Sequence, residues 1–147
     1  MMKKIPLPPT TLILSFLLSF IISLYYPIYR FTHQYTLGAI LIFLSLIIIS
    51  ISILKFKKNK TSIDPNDIPD TLIVSFPYSI SRNPIYLSML ILLFGIDMMF
   101  GNIIMFINLI IFFIIINIFV IPKEEINIEK KFGNKFIDYK RKIRRWI

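Results

Sequence analysis

The chain of 147 residues has no cysteine, one histidine (His33), one alanine (Ala39) and four scattered glycines (Gly38, Gly95, Gly101, Gly133). Without cysteine there is no disulfide, no thiolate chemistry and no Cys-based zinc site. A single histidine builds neither a His-based metal site nor a Ser-His-Asp triad. The glycines form no GxGxxG turn and no P-loop, which argues against a soluble Rossmann-type cofactor domain. Negative charge is also scarce, with 8 Asp+Glu against 17 Lys+Arg and a net charge of +9. What the chain has in excess is apolar mass, 56% of its residues, above the roughly 45–50% usual in a soluble domain. That mass excludes a disordered chain. It falls in blocks, which points to a bilayer rather than to one large core. Ile, Phe, Asn and Lys are abundant, the mark of an AT-rich coding bias, so any one such residue carries little functional information.

Four blocks run from about residue 11 to 28, 37 to 56, 84 to 100 and 103 to 121. A hydrocarbon core about 30 Å thick needs roughly 20 helical residues. The third block is short but can gain a turn from Asn83-Pro84, with Asn as N-cap and Pro at the first helical position. Only Gly101-Asn102 separates the third and fourth blocks, so they should form a tight hairpin. Lys3 and Lys4 before the first block suggest a signal peptide. Tyr25-Tyr26-Pro27-Ile28-Tyr29 offers no small-residue cleavage site, however, and reads as the interfacial end of an uncleaved span.

The cations set the expected orientation. Lys3, Lys4, Lys55, Lys57, Lys58, Lys60, Arg82 and the nine after the fourth block share one side, leaving Arg30 alone on the other. By the positive-inside rule the shared side is cytosolic. The expectation is an all-α integral-membrane protein with one domain, 1–147. It has about four transmembrane helices, a cytosolic loop 57–82, a cytosolic amphipathic C-terminal helix 123–145 and both termini in the cytosol. The tail is read as a helix because Ile128, Phe132, Phe136, Tyr139 and Ile143 fall on one helical face. Pro122 marks the bend where the last span leaves the membrane.

Two stretches carry polar chemistry. Phe76-Pro77-Tyr78-Ser79-Ile80-Ser81-Arg82-Asn83-Pro84-Ile85-Tyr86 puts a cation, an amide and two phenols at the mouth of the third span. Taken alone it can be an aromatic belt with a snorkelling arginine. Glu124-Glu125 is unexpected beside a bilayer. Alone it can be first-turn negative charge complementing the helix macrodipole. On a helical wheel, though, Glu125 lies near the apolar face of Phe132 and Phe136, where a carboxylate wants a partner. Asp97, inside the third block, reads first as interfacial, a turn before Gly101-Asn102. Asn108 and Asn117 can hydrogen-bond between helices and receive no catalytic role.

Together the two stretches resemble the isoprenylcysteine carboxyl methyltransferase family and the related phospholipid methyltransferases, in particular short bacterial members. The resemblance covers roughly residues 56–147. Lys60-Thr61-Ser62-Ile63-Asp64-Pro65 is similar to the family's Gly-Thr-x-x-x-Pro loop. Arg82-Asn83-Pro84-Ile85-Tyr86 is similar to its Arg-(His/Asn)-Pro-x-Tyr signature. Glu124-Glu125, Phe132-Gly133, Tyr139 and Arg145-Trp146 follow in the family's order and spacing. Phe76 and Ser88 stand where Gly is frequent, and Phe136 where Tyr is.

The resemblance implies S-adenosylmethionine as cofactor. It implies Tyr78, Arg82, Asn83, Tyr86, Glu124, Glu125 and Tyr139 as the residues that hold it. Arg145 is the candidate for orienting an anionic acceptor, set against a plain role beside anionic headgroups. The implied reaction is methylation of a lipophilic acceptor that enters from the bilayer, with an isoprenylcysteine-like carboxylate first. Phospholipid N-methylation and a non-enzymatic small membrane protein are the alternatives. The expected partners are the lipid bilayer and that acceptor, without nucleic acid. The expected location is multi-pass in the inner (cytoplasmic) membrane.

Overall fold

A computed structural model describes residues 8–25, 32–101 and 105–147. Lys3, Lys4, Arg30, the expected end of the first span at Ile28 and the expected start of the fourth at Ile103 lie outside them. Among the described residues every regular element is helical. Helices α1 (Pro8–Tyr25) and α2 (Gln34–Lys58) are long and apolar enough to cross a membrane, as is one continuous helix, Met105–Phe132. Helix α3 (Pro84–Phe100) is apolar but has 17 residues, about 25 Å at 1.5 Å per residue. The all-helical membrane architecture therefore stands.

Helix α2 ends with Lys55, Lys57 and Lys58 in its last turn, where cations complement the macrodipole. Helix α3 starts at Pro84, and the Leu87 N–H reaches the Asn83 carbonyl at 3.0 Å. The Asn83 side chain does not cap this helix; it is drawn away to the C-terminal segment. Gly101 closes α3 in the left-handed conformation, φ 70°, taking the Asp97 and Met98 carbonyls, the usual work of a C-terminal glycine. Helix α3 lies mainly along α2, antiparallel to it. A Cβ on Gly38 would lie 2.5 Å from Met99 Cγ and 2.7 Å from the Gly95 carbonyl oxygen. The two glycines thus let the backbones approach as closely as membrane helix pairs do.

The last span departs from expectation in two ways. Helix α4 (Met105–Ile115) passes through a π turn (Ile116–Val120) directly into α5 (Ile121–Phe132). Pro122 does not end it. Proline removes one i→i−4 bond and crowds the carbonyl four residues back, and a widened π turn relieves both. The tail is also two helices rather than one through 123–145. Gly133, at φ 52° and ψ −126°, separates α5 from α6 (Asn134–Lys142). That backbone conformation belongs to glycine. A Cβ there would meet nothing within 4 Å, so conformation, not space, makes the break. Helix α6 ends at an extended Ile143, and no regular element follows among the described residues.

The packed core joins Tyr86, Met89 and Leu93 of α3 to Phe112, Ile116, Val120 and Ile121, with Leu12 and Trp146 against it. Towards the Gly101 end of the bundle, Asn108 Nδ2 donates to the Ser15 carbonyl (2.7 Å) and to Ser19 Oγ (3.0 Å), joining α4 to α1. Asp97, one turn before the end of α3, is turned into the bundle. It is fully buried because it lies on the face of α3 turned towards Ser19 of α1. Its carboxylate oxygens make no hydrogen bond to a described residue.

Candidate functional site at the charged end

The opposite end of the bundle gathers the loop before α3 (residues 59–83), the start of α5, α6 and the C-terminal segment. Local chemistry shapes the loop. Lys60 adopts φ 50°, the left-handed region where the resembled motif has glycine. Thr61 Oγ1 then accepts the Asp70 N–H (2.6 Å) and the Thr71 N–H (3.3 Å). Asp64 Oδ1 takes the Asn66 N–H at 2.8 Å, an Asx turn. Lys131 of α5 reaches Asp70 at 2.9 Å, but the pair is exposed and holds the loop only weakly.

Two arginines converge on one carboxylate. Arg82 Nη2 lies 3.1 Å from Glu125 Oε1, with both side chains about nine-tenths buried. Arg145 Nη2 lies 3.0 Å from Glu125 Oε2. The helical wheel's partner for Glu125 is thus a pair of cations. Glu124, half-buried, accepts the Tyr86 hydroxyl at 2.9 Å. The Tyr139 hydroxyl donates to the Tyr78 carbonyl at 2.6 Å, pinning α6 to the loop. Asn83 Nδ2 donates to the Arg145 carbonyl at 3.1 Å. Ser88 turns its hydroxyl to the Pro84 carbonyl within α3 (2.6 Å), so replacement of the frequent glycine costs no unpaired polar group. Phe136 is buried and packs against Tyr139 with ring centroids 6.2 Å apart.

These residues frame two adjoining clefts. One is lined by the loop together with Tyr78, Arg82, Asn83, Glu124, Glu125 and Tyr139. The other, roomier one runs between the ends of α1, α2 and α3. Its walls are apolar (Pro8, Ile49, Ile53, Met89), and Tyr86, Asp64 and Glu124 join them. Tyr78, Arg82, Asn83 and Glu124 line both. Arg145 lines neither; its guanidinium is taken up by Glu125 and by Asn117 Oδ1 (3.2 Å).

Part of the polar inventory is free. Arg82 Nε and Nη1 and the Tyr78 hydroxyl are buried without a hydrogen-bond partner among the described residues. Burial first, and then the Glu124 charge, push the Tyr78 phenol up; it faces Ser52 short of a good hydrogen bond. Burial raises Tyr139 to about 12, against the opposing pull of Arg82. Both phenols are therefore neutral donors at physiological pH. Unpaired donors on a buried guanidinium suit a carboxylate ligand, and Glu124 beside them suits hydroxyl or ammonium groups. That donor set fits the parts of S-adenosylmethionine. Sequence reasoning gave Asn117 and Ser81 no part here, yet both hold the C-terminal segment.

Fold and site together define a small membrane-embedded protein with a charge-paired cleft at one end of its helices and an apolar cleft beside it. A family model described as phospholipid methyltransferase matches residues 33–135, more than half of the chain, and the protein belongs to that family. Membership makes it a membrane methyltransferase. The match spans α2, the loop, α3 and Glu124-Glu125, and stops short of Tyr139 and Arg145-Trp146. No curated protein and no solved structure matches the chain.

Proposed function

We propose that the protein transfers the methyl group of S-adenosylmethionine to a lipophilic acceptor drawn from the bilayer. The observation that carries this reading is Arg82, buried and with two nitrogens free, between a polar and an apolar cleft. Arg82 pairs with the ligand's carboxylate. Glu124 takes its hydroxyl or ammonium groups, with Glu125 held beside it by the arginines. Tyr78 and Tyr139 supply neutral hydroxyls and ring faces, and Asn83 and Tyr86 complete the wall. Bound there, the cofactor supplies an electrophilic methyl on a positive sulfur. The chain supplies alignment and exclusion of water, a contribution of up to about 7–11 kcal/mol in favourable cases. The cations gathered at this end support a cytosolic site, by the positive-inside rule. Both termini then face the cytosol, and the protein sits in the cytoplasmic membrane.

The resemblance puts carboxyl methylation of an isoprenylcysteine-like acceptor first, and that reaction needs no base. Phospholipid N-methylation is the second reading, and the charge layout favours it. Asp64 and Glu124 line the apolar cleft beside Arg82, whose free donors the cofactor's carboxylate takes, whereas Arg145 lines neither cleft and is held by Glu125. An ammonium headgroup must lose a proton before its lone pair can attack, and Glu124 is the acceptor at hand. Purified protein incubated with methyl-labelled cofactor and host lipid extract separates the readings. A stable N-methyl lipid is expected from an amine acceptor and a base-labile ester from a carboxylate. Absence of label in any lipid, from folded protein that binds cofactor, would refute a lipophilic acceptor.

A further inference from the structure

One side chain inside the last span reaches the site without lining it. Asn117 Oδ1 accepts hydrogen bonds from Arg145 Nη1 at 3.2 Å and from Trp146 Nε1 at 3.1 Å. Both acceptor lone pairs of that oxygen are thereby used. The Trp146 ring packs on Phe113, one helical turn before Asn117, with centroids 5.1 Å apart. The docked segment turns two backbone carbonyls to the loop before α3. The Arg144 carbonyl accepts the Arg82 N–H at 3.0 Å. The Arg145 carbonyl accepts Ser81 Oγ at 3.2 Å and Asn83 Nδ2 at 3.1 Å.

The π turn explains why one arginine can serve both Asn117 and Glu125. Eight residues of regular α-helix rotate a side chain about 80° past its starting face, at roughly 100° per residue. One extra residue in a π turn removes about 100° of that. Asn117 and Glu125 then lie within about 20° of one face, with the π turn Ile116–Val120 between them. The two Nη atoms of Arg145 span that face, one on each partner.

We propose that Asn117 is a positioning residue that docks residues 143–147 as a strap beside the cleft and so holds Arg145 on Glu125. Its effect on cofactor binding rests on the function proposed above; the docking itself does not. Trp146 is the sole tryptophan, so intrinsic fluorescence reads the strap directly. In detergent-purified wild type, Trp146 is expected to emit as a shielded indole and to resist iodide. Asn117→Leu, and Asn117→Ser, which adds no apolar bulk, remove the acceptor. Each is expected to shift emission to the red and to raise the iodide quenching constant at least about twofold. Loss of a hydrogen bond to a charged group also predicts about tenfold weaker binding of S-adenosylhomocysteine. Asn117→Asp keeps an acceptor oxygen and should restore shielding and affinity together. A merely structural asparagine would leave Trp146 shielded in folded Asn117→Ser. That result, or free access of iodide to Trp146 in wild type, overturns the proposal. Wild type that shields Trp146 but binds no S-adenosylhomocysteine would refute the cofactor reading and leave the docking in place.

Discussion

Glu125 and Asp97 are both buried carboxylates, and they stand at opposite ends of the bundle. Glu125 is met by two guanidiniums, at 3.1 and 3.0 Å. Among the described residues Asp97 meets no cation and faces the Ser19 hydroxyl. An isolated buried charge is costly, whereas a paired one holds its partners in place. The charged end is therefore held by groups far apart in sequence, Arg82, Glu125 and Arg145. The other end is held by glycine contact and neutral hydrogen bonds. The first arrangement leaves free donors on Arg82 facing a cleft.

The comparison breaks most readily at Glu125. Glu125→Ala strands two arginines and should cost roughly 3–5 kcal/mol, read as a fall in thermal unfolding temperature in detergent. At the other end the sensitive point is steric. Gly38→Leu drives a side chain into Met99 and the Gly95 carbonyl and should cost about 1–3 kcal/mol without weakening cofactor binding to the folded fraction. Tyr86→Phe removes one hydrogen bond to Glu124 and should cost about 1 kcal/mol in the same unfolding measurement. Asp97→Asn should have the smallest effect, under about 1 kcal/mol in either direction. It removes a carboxylate that no ion pair among the described residues supports. A loss at Asp97 equal to that at Glu125 would erase the distinction between the ends.

The helical membrane fold was legible because apolar blocks report directly on bilayer thickness. At the site, residue types were legible and their pairings were not. Glu125 could be seen to want a partner from its place beside Phe132 and Phe136. That the partners are Arg82 and Arg145 depends on how the loop and the C-terminal segment fold back, which no local period encodes. The π turn was missed because Pro122 reads locally as a bend. The relief lies in the backbone upstream of it. Gly133 stood inside an unbroken apolar stripe, and the stripe outweighed the glycine. The burial of Asp97 was not legible because sequence gives depth along a helix but not which neighbour covers it. Asn117 carried no signal in an Asn-rich chain.

The central claim is that the paired charges at one end form the cofactor site. Equilibrium binding of labelled S-adenosylmethionine to detergent-purified protein, wild type beside Arg82→Met, tests it most directly. Arg82→Met leaves Arg145 on Glu125. Saturable binding by wild type, weakened at least about tenfold in folded Arg82→Met, is expected from loss of a charged hydrogen bond. Equal binding by the two proteins, or none by wild type with an intact helical spectrum, would contradict it.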